Sequence, residues 1–166
     1  IVVPALVRSR IAANQSATIG DLKTIVAAEA AYSSVNQRFY DGALTCLNSP
    51  ASGCLPGYPI TGATFLDSEL AALLPRSGCF RVLHPGPSPT LIPVMASPSS
   101  VVGYGYLASP LNQGQTGVLG FAADASGRIC WTRFAIRSRR SRKISRLAIA
   151  GGCVSISTRC VRSSGA

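Results

Sequence analysis

The sequence predicts an α+β fold, with a long N-terminal α-helix packed on a four-stranded antiparallel β-sheet and an irregular basic C-terminal tail. Three observations predict it. Residues 5–35 contain no proline and are rich in alanine. Four short alternating segments lie between residues 79 and 132, separated by turn signals. All six acidic residues precede residue 133, where the composition changes.

The helix is predicted over residues 4–38. Pro4 suits a first helical turn, because its missing N–H has no partner there anyway. The alanines that follow favour helix. Leu22, Ile25, Val26, Glu29 and Tyr32 recur at helical spacing. All but Glu29 are apolar, so they form one stripe to bury. Arg8, Arg10, Asn14, Asp21 and Lys23 supply polar surface. Gly20 is a weak point. Fraying is expected around residues 36–38, before Asp41-Gly42.

Residues 39–78 read as a loop-rich connection with turn signals at Ser49-Pro50, Pro56-Gly57 and Thr61-Gly62. Within it, residues 67–74 predict a short helix capped by Asp67 and stopped by Pro75. The strands follow. Residues 79–83 alternate, with Arg81 on one face and Phe80 and Val82 on the other. A proline-rich loop runs from Pro85 to Pro98. Residues 101–108 form the next strand, with Tyr104 and Tyr106 on one face. Residues 118–123 and 128–132 form a hairpin around Asp124-Ala-Ser-Gly127, where Gly127 supplies a positive φ.

A chain of 166 residues suits one domain with a real core. Three parts are predicted within it: the helix 1–38, a globular head 39–132 and a basic tail 133–166. The formal charge of +10 is uneven. Residues 1–132 carry a net of +1, and residues 133–166 carry +9 with no acid. An argument from overall basicity to nucleic acid therefore applies to the tail alone. The block Arg137, Arg139, Arg140, Arg142 and Lys143 is a candidate contact for a phosphate backbone or an anionic surface. No aromatic residue follows Arg137 to stack a base. A solvated tail and an out-of-frame end are the competing readings.

The six cysteines are Cys46, Cys54, Cys79, Cys130, Cys153 and Cys160. No Cys-x-x-Cys pair occurs and there is a single histidine, which argues against zinc. Disulfides in an oxidising compartment are expected, with buried free thiols as the alternative. Cys46 and Cys54 enclose a short stretch that suits a local staple. Cys79 and Cys130 fall on different strands that a bridge can join. The connectivity is not fixed by the sequence.

No catalytic constellation is legible. The six carboxylates are scattered, with no pair placed for acid/base work. His84 sits in Leu-His-Pro-Gly, read as a surface loop. There is no Gly-x-Ser-x-Gly elbow, and no Gly-Lys-Ser/Thr follows the glycines at 114–120. Asn14-Gln-Ser16 matches a glycosylation sequon but lies on the predicted helix. No cofactor or metal is implied, and no apolar run reaches the roughly 18 residues that span a bilayer.

The segment Ile1-Val-Val-Pro-Ala-Leu-Val-Arg-Ser-Arg-Ile-Ala-Ala-Asn14 is similar to the middle of the type IV pilin N-terminal helix. In that family an apolar segment leads into a proline, then leucine positions and an arginine-rich stretch ending in Ala-x-Asn. Gly20-Asp-Leu-Lys-Thr-Ile-Val-Ala-Ala-Glu29, followed by Tyr32, fits the same pattern. Phe65-Leu-Asp-Ser-Glu-Leu70 and the hairpin from Gly114 to Ile129 resemble pilin-like heads. The resemblance covers most of residues 1–132 and none of 133–166. The family's cleavage site and the early, glutamate-bearing part of its apolar segment are absent, so a truncated start is expected.

The resemblance implies a structural subunit of a pilus or pseudopilus rather than an enzyme. It implies packing against identical subunits through Pro4, Leu6 and Ile11, after anchoring in the inner membrane. The filament would lie at the cell surface or in the periplasm, serving adhesion, motility, DNA uptake or secretion. The alternative is a minor pilin or exported binding module whose basic tail holds DNA or an anionic surface.

Overall fold

The computed structural model describes residues 3–133 and 159–162, with side-chain surroundings over 5–133. Helix α1 runs from Val3 to Val35, about 50 Å at 1.5 Å per residue. It ends three residues before the predicted boundary. Gln37 and Arg38 take positive φ values of 53° and 68°, which a helix cannot continue through. The Arg38 N–H donates back to Ser33 O at 2.8 Å, closing the last turn.

Strand β1 (Tyr40–Asp41) pairs with β3 (Ser100–Val101) in a small antiparallel ribbon. Between them in sequence lie the single turns α2 (Thr45–Asn48) and α3 (Ser68–Ala71). The predicted short helix therefore shrinks to α3. Its cap is as expected, with the Leu70 N–H donating to Asp67 Oδ1 at 2.9 Å. It stops ahead of Pro75 because Leu73 turns to a φ of 55°. Cys46 and Cys54 form a disulfide across eight positions, the local staple expected. Closing so short a loop contributes about 2–3 kcal/mol in the chain-entropy picture.

The main sheet has the order β2-β4-β5-β6-β7, all antiparallel. Its strands are β2 (Cys79–Pro85), β4 (Tyr104–Pro110), β5 (Leu119–Asp124), β6 (Arg128–Arg133) and β7 (Arg159–Arg162). The first four correspond to the predicted strands, with two corrections. The segment predicted as one strand from residue 101 to 108 is divided. Gly103 O accepts from Gly86 N at 2.8 Å, and the chain leaves the β1 ribbon there before joining β2. The tail is not wholly irregular, since β7 adds a fifth strand beside β6. His84 lies on β2 opposite Gly105, not in a loop.

One face of α1 closes the core over this sheet. Thr18, Leu22, Ile25, Glu29, Tyr32 and Asn36 recur three and four apart, and all are buried. Of these, Leu22, Ile25 and Tyr32 cluster with Tyr106, Ala108, Phe121, Ala123 and Ile129 from the sheet and with Leu44, Leu47, Leu66 and Leu70 from the connection. Tyr32 and Phe65 pack edge to face with ring centroids 5.6 Å apart. Each such large apolar side chain contributes about 1.5–3 kcal/mol on burial.

Gly78 shows how tightly the middle of α1 meets the head. Its φ is +69°, and a Cβ there would sit 2.7 Å from Thr116 Cβ and 2.8 Å from Asn14 Nδ2. Only glycine satisfies both the conformation and the space.

Candidate functional site

Helix α1 changes character at Asn14 and Gln15. The Asn14 amide donates to Thr116 O at 2.9 Å. The Gln15 amide oxygen accepts from Val118 N at 3.1 Å and Leu119 N at 3.2 Å. These bonds pin the helix to the edge of the head. The Asn14 amide of the sequon is thus already engaged by the fold.

Before Asn14 the helix surface is open. Ala5, Leu6, Arg8, Ser9, Arg10, Ala12 and Ala13 are exposed, and Val7 and Ile11 are half-buried. Leu6 is 64% exposed. At 3.6 residues per turn, Ala5, Leu6, Val7, Ile11, Ala12 and Ala13 point to every side rather than along one stripe. Of the predicted packing residues, Leu6 and Ile11 therefore belong to this open segment. Pro4 is helical, and its side chain lies outside the described surroundings. Among the described residues no helix is both long and apolar enough to cross a membrane.

Two charged features inside the head were not legible as sites. The first joins α1 to the sheet. Arg81 and Phe80 do take opposite faces, but the arginine faces inward: Arg81 is 3% exposed and Phe80 49%. Its guanidinium Nη2 pairs with Asp21 Oδ2. Arg81 Nη1 and the neighbouring Tyr106 hydroxyl have no hydrogen-bond partner. Burial pushes the Tyr106 phenol up to about 12, against the opposing pull of Arg81.

The second gathers at the C-terminal end of α1. Glu29 is fully buried, and its Oε2 accepts from Asp41 N at 3.1 Å. Asp41 in turn accepts from Cys46 N and Ser99 Oγ, both at 2.8 Å. Asn36 Oδ1 accepts from Ser97 N at 2.7 Å, and Asn36 Nδ2 donates to Ser100 Oγ at 2.9 Å. Glu29 Oε1 has no partner. Burial raises the Glu29 carboxyl from 4.5 to about 8; the Asp41 N–H opposes this, and the Asp41 charge adds to it. Two carboxylates that the sequence left scattered are thus brought together. The sequence signal was Glu29 itself, the single acid in an apolar stripe.

Both carboxylates of this pair are fully buried. A shallow depression of about 500 Å³ lies elsewhere, lined by residues such as Thr45, Asn48, Ser49, Ser52 and Ser68. It contains hydroxyls and an amide but no acid or base.

The cysteines divide. Cys46 and Cys54 are bridged, and Cys130 is also disulfide-bonded. Cys79 is a buried free thiol that accepts from Thr18 Oγ1 at 3.3 Å. A Cys79–Cys130 bridge is therefore ruled out: β4 and β5 lie between β2 and β6. Cys160 stands opposite Cys130 in the β6–β7 register. Cys153, Arg137, Arg139, Arg140, Arg142 and Lys143 lie outside the described residues. No known protein family, curated protein or solved structure matches the chain.

Proposed function

We propose that this chain is a structural subunit of a type IV pilin-like filament, assembled through the first half of α1. The observation that carries the proposal is the change of surface at Asn14. Behind it, one stripe is buried in the head; ahead of it, apolar side chains face all directions and Leu6 is exposed. A single flat partner covers one side of a helix. Covering every side requires several neighbours, as in a bundle of like helices. A head-to-tail contact that repeats without closing gives a helical filament. The Cys46–Cys54 bridge supports placement in an oxidising compartment, outside the cytoplasm. Anchoring in the inner membrane before assembly, and display at the surface or in the periplasm, belong to the same proposal.

Leu6→Asp and Ile11→Asp in the chromosomal gene test it. Each places a charge where an apolar side chain would be buried, forfeiting about 1.5–3 kcal/mol of burial per contact besides the cost of desolvating the carboxylate. The expected result is at least about a tenfold loss of sheared surface filaments, since 1.4 kcal/mol is already tenfold. Thermal unfolding of the head should be unchanged, because neither residue belongs to its core. Wild-type filament yield from both variants overturns the proposal.

A further inference from the structure

We propose that Glu29 and Asp41 form a pH-sensitive clasp that locks loop 86–99 to the C-terminal end of α1 while Glu29 keeps its proton, and frees that loop when the proton leaves.

The geometry supplies each part. Asp41 binds both sides of the clasp, taking hydrogen bonds from Cys46 N on one oxygen and Ser99 Oγ on the other. Gly42 N donates to Ser99 O at 3.1 Å, and Ser97 N donates to Asn36 Oδ1. The end of loop 86–99 thus hangs on α1 and β1 through polar contacts. The loop carries exposed apolar side chains at its tip: Leu91, Ile92, Val94 and Met95. Glu29 is the buried floor beneath Asp41, tied to it by one N–H.

No positive charge offsets this floor. Neither ion pair among the described residues involves Glu29 or Asp41. The titratable groups around it are Tyr32 on α1, Tyr40 and Asp41 on β1, and Tyr104 on β4, with Asp124 on β5 beyond Tyr104. All are acids. Deprotonation therefore sets a second negative charge beside Asp41 in a poorly hydrated space. Glu29 Oε1, with no partner, has only water to turn to. Water reaches it once β1 and residues 97–100 separate from α1. The apolar tip is then released from its fixed position. The Cys46–Cys54 bridge keeps the segment that donates Cys46 N to Asp41 tethered, and its Cys46 sulfur lies 3.4 Å from Ser99 Oγ, a contact that the opening must break.

Amide hydrogen exchange on the full chain tests the clasp, with rates corrected for intrinsic pH dependence. The amides of Asp41 and Ser97 report it directly: Asp41 N donates to Glu29, and Ser97 N ties the end of the loop to Asn36. Between pH 7 and pH 9 their protection should fall about tenfold in the wild type, since an opening that releases the Glu29 proton rises tenfold per pH unit up to the closed-state midpoint near 8 and levels off above it. In Glu29→Gln the same amides should hold their protection. An identical pH profile in both proteins overturns the proposal. Should Glu29→Gln not fold, carbon-13 carboxyl NMR of the wild type decides. A Glu29 midpoint near 8 together with shifts at Ser97 and Ser99 supports the clasp. A midpoint near 4.5, or no movement at those serines, overturns it.

Discussion

Asp21→Ala should destabilise the protein by about 3–5 kcal/mol, whereas Arg81→Met should cost little. The two residues form one ion pair, yet they are not equivalent. The Arg81 side chain is 1% exposed and that of Asp21 16%. Removing Asp21 strands a guanidinium in the core, where Nη1 already lacks a partner. Removing Arg81 leaves a carboxylate near the helix surface that water can solvate. Methionine also refills the space along Ala108, which stands opposite Arg81 in the sheet. Urea unfolding at pH 7 measures both. A domain's whole stability is about 5–15 kcal/mol, so Asp21→Ala should bring it close to unfolding. Equal losses for the two variants would contradict the account of Arg81 as a buried charge held by one partner.

The second large effect is a fall in stability with rising pH, carried by Glu29. In the folded state its carboxyl titrates at about 8, against 4.5 unperturbed. The folded protein therefore binds a proton that the unfolded chain releases. Stability from this group is full below pH 4.5, declines through the window from 4.5 to 8, and is gone above it. At 1.36 kcal/mol per unit the shift corresponds to a loss on the order of 5 kcal/mol. Glu29→Gln keeps the acceptor for Asp41 N and carries no proton equilibrium. It should flatten the profile and be the more stable protein at pH 8.5. Urea midpoints at pH 5, 7 and 8.5 read both curves. Parallel slopes in the two proteins would show that Glu29 does not carry the dependence.

Much of the architecture was legible because local signals agreed. Leu22, Ile25 and Tyr32 recur at helical spacing, and all three are in the core. Asp124 and Gly127 mark the β5–β6 turn, where Gly127 has a φ of 74°. The short Cys46–Cys54 interval left little room for error. What failed depended on distant partners. Nothing near Arg81 tells that Asp21, sixty positions earlier, neutralises it inside the core. The inward arginine and outward Phe80 invert the usual preference. Cys79 and Cys130 sit on strands as expected, but strand order, which local pattern does not encode, keeps them apart. β7 was hidden because Arg159-Cys-Val-Arg162 lies in a basic tail and gains its place by pairing with β6. The Glu29 cluster needed α1, β1 and residues 97–100 together. Its one local trace was an acid in an apolar stripe.

Photo-cross-linking in living cells tests the assembly face most directly. A photoreactive residue is placed at position 6 in one strain and at position 91 in another, within the full-length protein. Assembly through α1 predicts strong copy-to-copy adducts from position 6, mapping by mass spectrometry to residues 5–13 of neighbouring copies. Position 6 yielding no adduct with another copy, while the protein is folded and exported, would contradict it.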